Sequence, residues 1–495
     1  MSTCPSNSGV HPLKILALAL LSLAAFTCHA QQALSERDIH KIENGLVPRI
    51  LVQGEDTQTY NVLERMKLFN VPGLSLAVFK DGKVVWQKGY GLADVKGRVP
   101  VDIHTKFQSA SISKSVTAFA VLKLSLEKGL DLDRDVNDYL TGWKVPENTF
   151  TQSEKVTIRR LLNHTAGLNG EGFPGYDKSD KIPDAVGVLN GEGNSPKLAV
   201  EAIPGTRYSY SGAGYVVLQK LVEELSGKSF ERYMQDEVLT PLKMSDSSFN
   251  PYPSSHMSLA YDFRGQAYAG GWHVYPELAP AGLWTTPADL AKFCVAVRDS
   301  LRGVEGSYLP KAMAEQMRTA SMKPGGGDEY GLGLEFRGKG INASFGHGGS
   351  NAGFKSEMFY FFNQDLGLVL MTNADNGRLA RNEMIRALSN HYHLDLFPPK
   401  TVTAVRLAKA DLDAYAGKYQ HEQEKNRYFT VAVDSASGLT MQDLTSGKKN
   451  TFIPIGTDKF VDRYSGEEAV FTRNSASGST RMLYDGDDTL IKVSE

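Results

Sequence analysis

Residues 111–129 read Ser-Ile-Ser-Lys-Ser-Val-Thr-Ala-Phe-Ala-Val-Leu-Lys-Leu-Ser-Leu-Glu-Lys-Gly, and this stretch decides the fold. From Lys114 to Glu127 the apolar residues Val116, Phe119, Val121, Leu122, Leu124 and Leu126 occupy nearly every face of a helix, which Gly129 closes. A helix that is apolar all round belongs at the centre of a large core. Ser111 and Lys114 stand one turn apart at its start, so hydroxyl and amine lie one above the other on one face. Unpaired N–H groups at a helix start favour developing negative charge. Burial lowers a lysine's pKa, and a neutral amine can take the proton of a nearby hydroxyl. The Ser-x-x-Lys spacing recurs at Ser125/Lys128 and Ser446/Lys449. Only the first occurrence couples the pair to the start of a buried helix.

On the N-terminal side, Leu74, Leu76 and Val78 alternate with their neighbours up to Asp81-Gly82, and Val84-Val85-Trp86 resumes the pattern. Asp-Gly between such runs marks a hairpin. On the C-terminal side, residues 169–197 are rich in Gly and Pro and form a long surface loop of the kind that rims functional sites. Helices are predicted over Val216–Leu225, Phe230–Val238, Pro287–Arg298 and Arg378 to about His391, and strands over Phe354–Phe361 and Leu366–Met371. The sheet is therefore built from both ends of the domain, with helices between. After Pro398-Pro399, short alternating runs (428–433, 439–444, 450–455, 468–473, 481–484 and 489–493) sit between Gly, Ser and Asp turns, the pattern of a separate all-β unit.

The 495 residues are 41% hydrophobic and 22% charged, enough to bury a full core. Lys+Arg 54 against Asp+Glu 56 leaves a net charge of −2 with no run of like charges, which argues against a nucleic-acid partner. Lys14 precedes an apolar stretch from Ile15 to Phe26, broken only by Ser22, and Cys28-His29-Ala30 offers a small-residue cleavage site. The stretch is shorter than the roughly 20 residues that span a bilayer. Residues 1–30 thus read as a cleaved signal peptide, and the mature protein as periplasmic or secreted without a membrane span. Cys4 and Cys28 leave with it, so Cys294 stands alone, packed in an apolar helical pattern. The histidines form no cluster at metal-ligand spacing, His391 and His393 are expected to cap a helix end, and no cofactor is implied.

Two further clusters carry polar groups and glycines. Pro204 to Tyr215 reads Pro-Gly-Thr-Arg-Tyr-Ser-Tyr-Ser-Gly-Ala-Gly-Tyr, directly before a helix. Phe345 to Phe354 reads Phe-Gly-His-Gly-Gly-Ser-Asn-Ala-Gly-Phe, whose glycines would let a ligand approach a strand closely. In this order, and with Val71–Ser75, Leu161–Leu168, Pro241–Asp246 and Pro280–Thr286, the segments resemble the serine β-lactamase-like family over roughly residues 45–390. That family includes class C β-lactamases, D-alanyl-D-alanine carboxypeptidases, D-aminopeptidases and related esterases.

The resemblance implies Ser111 as acylated nucleophile, Lys114 as its proton acceptor, and Tyr210 as the tyrosine of a Tyr-x-Asn element that relays a proton to the leaving group. It places His347-Gly348-Gly349 at the Lys-Thr-Gly position and gives the oxyanion hole to the N–H groups of Ser111 and Ser350. His164 is a turn-forming landmark beside the cleft. Two departures stand out: Gly212 replaces the Asn of Tyr-x-Asn, and His347 replaces a permanently charged lysine. Both suit an ester or other small acyl substrate.

The implied fold is α/β (α+β), an antiparallel sheet flanked by helices with a mostly helical insert, followed by a C-terminal all-β barrel that resembles lipocalin-like domains. The implied units are the signal peptide 1–30, a catalytic domain 31–398 and a barrel domain 399–495. The implied activity is an exported serine hydrolase that cleaves an ester or amide through an acyl-Ser111 intermediate. A class C-like β-lactamase, a D-Ala-D-Ala carboxypeptidase or D-aminopeptidase, and an inactive acyl-binding sensor are the alternatives. No G-x-S-x-G elbow occurs, which argues against an α/β-hydrolase.

Overall fold

A computed structural model describes residues 33–319, 322, 328–434, 438–473 and 480–493. The signal segment 1–30 lies outside the described residues. Strands β1 (Gly73–Lys80) and β2 (Lys83–Asp94) form the expected hairpin, and Asp81 and Gly82 between them are both left-handed (φ 50° and 80°), as a tight primed turn requires. β3 (Glu335–Arg337), β4 (Ser344–Asn351), β5 (Phe354–Phe361) and β6 (Leu366–Thr372) complete the core of one antiparallel sheet. Its order is Val99–Pro100, β2, β1, β6, β5, β4, β3 and Glu329–Tyr330. β1 and β6 are buried along almost their whole length, so both of their faces are apolar.

Helix α1 (Ile112–Lys128) ends at Gly129 (φ 65°) and buries thirteen of its residues, Lys114 among them. α2 (Gly212–Ser226), the short α3 (Leu278–Ala281) and α4 (Pro287–Arg302) pack around it, and α5 (Gly377–Tyr392) covers the sheet with the N-terminal segment. Each predicted helix is present, but the one begun at Phe230 turns from α to π geometry at Gln235. The loop 169–197 contains a single helical turn at Ala185–Leu189, and Tyr176, Val188 and Leu189 in it are buried, so it is less of a surface feature than its composition suggests. Cys294 is a free thiol in the core, and His393 caps α5.

The C-terminal runs close into an eight-stranded barrel, β7 to β14: Gly417–His421, Tyr428–Val433, Leu439–Asp443, Lys449–Pro454, Lys459–Asp462, Glu468–Arg473, Thr480–Tyr484 and Asp488–Val493. The first and fifth were not legible from alternation. Tyr415, Tyr419, Phe460 and Phe471 fill the barrel interior, so it is packed and not an open calyx. A parallel pairing of Lys400–Val402 with Ile50–Val52 ties the connection back to the N-terminal segment.

Candidate active site

Ser111 sits just before α1, and its side chain caps nothing there, which leaves the hydroxyl available. Ala110, immediately before it, is left-handed at φ 52°. That conformation costs an alanine about 1 kcal/mol and is characteristic of over-determined functional turns. The surroundings hold the turn: Ser356 Oγ donates to Ser109 O (2.7 Å), and Ser109 N–H donates to Leu283 O (2.8 Å). Gly349 of β4 makes the approach possible, because a Cβ there would lie 2.1 Å from Ser109 O. Among the described residues none accepts a hydrogen bond from the Ser111 N–H.

Lys114 Nζ donates to Ser111 Oγ (3.1 Å) and to Pro280 O (3.2 Å). Among the described residues no carboxylate pairs with it. Burial alone pulls its pKa down to about 7. Tyr210 lies beside the pair, close enough for Ser111 to act on its phenol, and Lys114 Nζ stands 4.9 Å from the centre of the Tyr210 ring. Burial raises the Tyr210 phenol above its usual range, outweighing the opposing effect of Ser111. The environment therefore favours a neutral amine beside a protonated phenol.

His164 is buried, left-handed (φ 60°), and 4.2 Å from Tyr210 between ring centres. Its Nδ1 accepts from Ser211 N–H (3.1 Å) and its carbonyl accepts from Ser209 N–H (2.8 Å), so it fixes the backbone on both sides of Tyr210. His347 is buried in β4. It is 2% exposed, its Nδ1 donates to Gly348 O (2.6 Å), and its Nε2 therefore accepts from the Tyr330 hydroxyl (2.9 Å). Burial, then the neighbouring Lys114, pushes its pKa down to about 3. Burial thus favours the neutral imidazole over the charged one.

Gly212 is buried at the start of α2, and Phe173 of the Gly/Pro-rich loop fills the space beside it. A Cβ on Gly212 would lie 2.7 Å from Phe173 Cε2 and 3.0 Å from Glu171 O. An aromatic edge thus takes the place of the expected amide, and Gly212 does not line the cavity. Ser111, Tyr210, His347, Gly348, Gly349 and Ser350 do line it, a cleft of about 590 Å³.

Sequence reasoning missed the rest of this wall. Arg337, Glu357 and Arg381 form an ion-pair network behind Gly348, with Glu357 accepting from both arginines (3.3 and 3.0 Å). The barrel closes the far side through Lys448, Lys449 and Asn450. Their partners lie on other elements, 20 residues apart for Arg337 and Glu357, 24 for Glu357 and Arg381 and 19 for Lys448 and Glu467, so no local signal marks them.

The Beta-lactamase family model matches residues 61–391, two thirds of the chain. The chain belongs to the beta-lactamase family. It is similar to Protein flp of Staphylococcus aureus strain MRSA252 (31% identical over 225 residues, 44% of this chain), and the match spans 42% of that protein's length. It is also similar to Penicillin-binding protein 4 of Amycolatopsis lactamdurans, 27% identical over 380 residues, 71% of this chain and 94% of that protein. Among solved structures, the octameric penicillin-binding protein homologue from Pyrococcus abyssi matches with a TM-score of 0.60 and 25% identity, covering 87% of this chain and 98% of that one. As a member of the beta-lactamase family, the chain shares the mixed α/β fold, antiparallel sheet with helices, of penicillin-binding-protein homologues. Among the described residues no helix is long and apolar enough to cross a membrane.

Proposed function

We propose that this protein is an exported serine hydrolase that cleaves a small ester or amide through an acyl-Ser111 intermediate. The 3.1 Å hydrogen bond between Lys114 Nζ and Ser111 Oγ carries this reading, because the lysine is buried without a counter-charge and is neutral above about pH 7. The Ser111 proton passes to Lys114 as Oγ attacks the carbonyl carbon. The N–H groups of Ser111 and Ser350 receive the resulting oxyanion, a contribution of roughly 10²- to 10³-fold in rate per donor. Tyr210 donates its proton to the leaving group and is recharged from the Lys114 ammonium. Water then attacks the acyl carbonyl, and Ser111 regains its proton.

The neutral His347 and the apolar contact at Gly212 favour an ester or neutral acyl compound over a β-lactam or D-Ala-D-Ala peptide, which carry a carboxylate. An inactive acyl-binding sensor is disfavoured because Ser111, Lys114 and Tyr210 converge. The barrel, placed from residue 399, shapes the outer cleft and gives no group to the chemistry. Residues 1–30 are proposed to direct export and to be removed after Ala30, which N-terminal sequencing of the mature protein tests.

The decisive experiment offers the mature protein short-chain p-nitrophenyl esters, a chromogenic cephalosporin and D-Ala-D-Ala peptides, and maps a fluorophosphonate adduct by mass spectrometry. Ester turnover, with the adduct on Ser111 and both lost in Ser111→Ala, is expected. An adduct on Ser125 or Ser446 would overturn the assignment.

A further inference from the structure

Next to the catalytic cleft, with which it shares Arg378, Tyr464 and Glu467 as lining residues, the seam between α5 and the barrel gathers more positive charge than it neutralises. Glu383 of α5 is buried, and both of its oxygens are held by Arg65 at 2.6 Å. One turn along, Arg386 is 97% buried on its side chain, and its nearest approach to Glu383 is 3.9 Å. Arg386 Nε donates to Val47 O (2.9 Å), while Nη2 is buried with no hydrogen-bond partner. Arg49 donates to the Pro398 carbonyl, and among the described residues no carboxylate pairs with it. Its aliphatic stem crosses the barrel turn at Gly466 (φ 82°), where a Cβ would lie 3.0 Å from Arg49 Cγ.

Arg49, Arg378 and Arg386 line one cavity of about 260 Å³. Its carboxylates are Glu467 and Asp485. Glu467 is shared between Arg378 (3.1 Å) and Lys448 (2.9 Å). Burial and the Glu467 charge raise the Asp485 carboxyl above its usual range. A guanidinium does not shed its proton in a protein, so the surplus cannot be relieved by titration. Uncompensated buried charge is costly, and a counter-ion relieves it.

We propose that this seam cavity is a binding site for a small free oxyanion of the phosphate or sulfate class, held by Arg49, Arg378 and Arg386. The forked geometry of guanidinium donors matches such oxygens, and the planar groups need no rearrangement of the backbone to present them. Because Arg49 and Arg386 belong to the catalytic domain while Gly466 belongs to the barrel, the bound anion braces the docking of one on the other. The proposal is independent of the hydrolase reading.

The test uses the full mature chain, with inorganic phosphate or sulfate titrated against chloride at matched ionic strength, by calorimetry and thermal unfolding. A saturable rise in Tm with a matching binding heat is expected, and Arg49→Gln should weaken it at least tenfold while the exposed control Lys409→Gln leaves it unchanged. Arg386→Gln should abolish it. If that variant does not fold, the half-buried Arg49 decides. Kosmotropic salts stabilise proteins generally by exclusion, so a rise that is linear, without binding heat and equal in Arg49→Gln, would overturn the site.

Discussion

The ring edge of Phe173 lies against Gly212, so that a side chain at 212 would begin 2.7 Å from Phe173 Cε2. The missing asparagine is therefore part of a paired arrangement and not an isolated loss.

Restoring the amide alone should fail. Gly212→Asn must displace an aromatic ring in a packed wall, at a cost of about 1–3 kcal/mol. Phe173→Ala with Gly212→Asn should recover much of that stability, a non-additive result readable from the Tm values of both single variants and the pair. Additive losses would show that the two positions are not coupled.

The pH–rate profile should report Lys114. For a neutral ester, kcat/KM is expected to rise about tenfold per pH unit on the acid side and to level off above about pH 7, where the buried amine is neutral. Tyr210→Phe should lower kcat by roughly 10² or more and leave the position of that limb in place, since the phenol stays protonated throughout. A limb that moves with the Tyr210 variant would tie the ionisation to the wrong group.

His347 should be silent in substrate charge recognition. KM for a carboxylate-bearing ester and for a neutral one sharing its leaving group should run in parallel above about pH 8, where Lys114 is neutral too, because the imidazole stays neutral above about pH 3. His347→Lys would place an unpaired ammonium close to Lys114, and destabilisation of about 3–5 kcal/mol is expected from denaturant unfolding. Diverging KM curves in the wild type would contradict the buried, hydrogen-bonded imidazole.

Glu277 gives a stability signature. It is fully buried, neither oxygen has a hydrogen-bond partner among the described residues, and burial raises its pKa from 4.5 to about 7. Above pH 4.5 the unfolded chain releases a proton that the folded chain keeps, so folding stability from this group falls as pH rises, and the loss is complete once the folded carboxyl ionises. Glu277→Gln removes the effect. The variant should gain on the wild type by about 3 kcal/mol between pH 4.5 and pH 8, measured as the difference of their unfolding free energies. Parallel pH profiles would place a counter-charge or water beside the carboxyl.

Much of the fold was legible because its main elements are local. The alternation of Leu74, Leu76 and Val78, the Asp81-Gly82 turn, the all-round apolar helix and Gly129 each state their structure within a few residues, and the fold follows them. The pairing of Ser111 with Lys114 was equally local, since one helical turn sets it. What escaped the sequence depends on neighbours distant along the chain. The left-handed Ala110 has no glycine to announce it and is imposed by Ser356, Leu283 and the close pass of Gly349. His347 shows its residue type in the sequence, but its burial and the Tyr330 hydroxyl, 17 residues earlier, that donates to its Nε2 come only with the folded chain. Arg49 and Arg386 carry no common motif and meet only when the chain folds. A residue's type and its helix or strand phase are properties of nearby sequence, whereas its protonation state, its hydrogen-bond partners and the charge around it arise from desolvation and contacts that only the tertiary structure brings together.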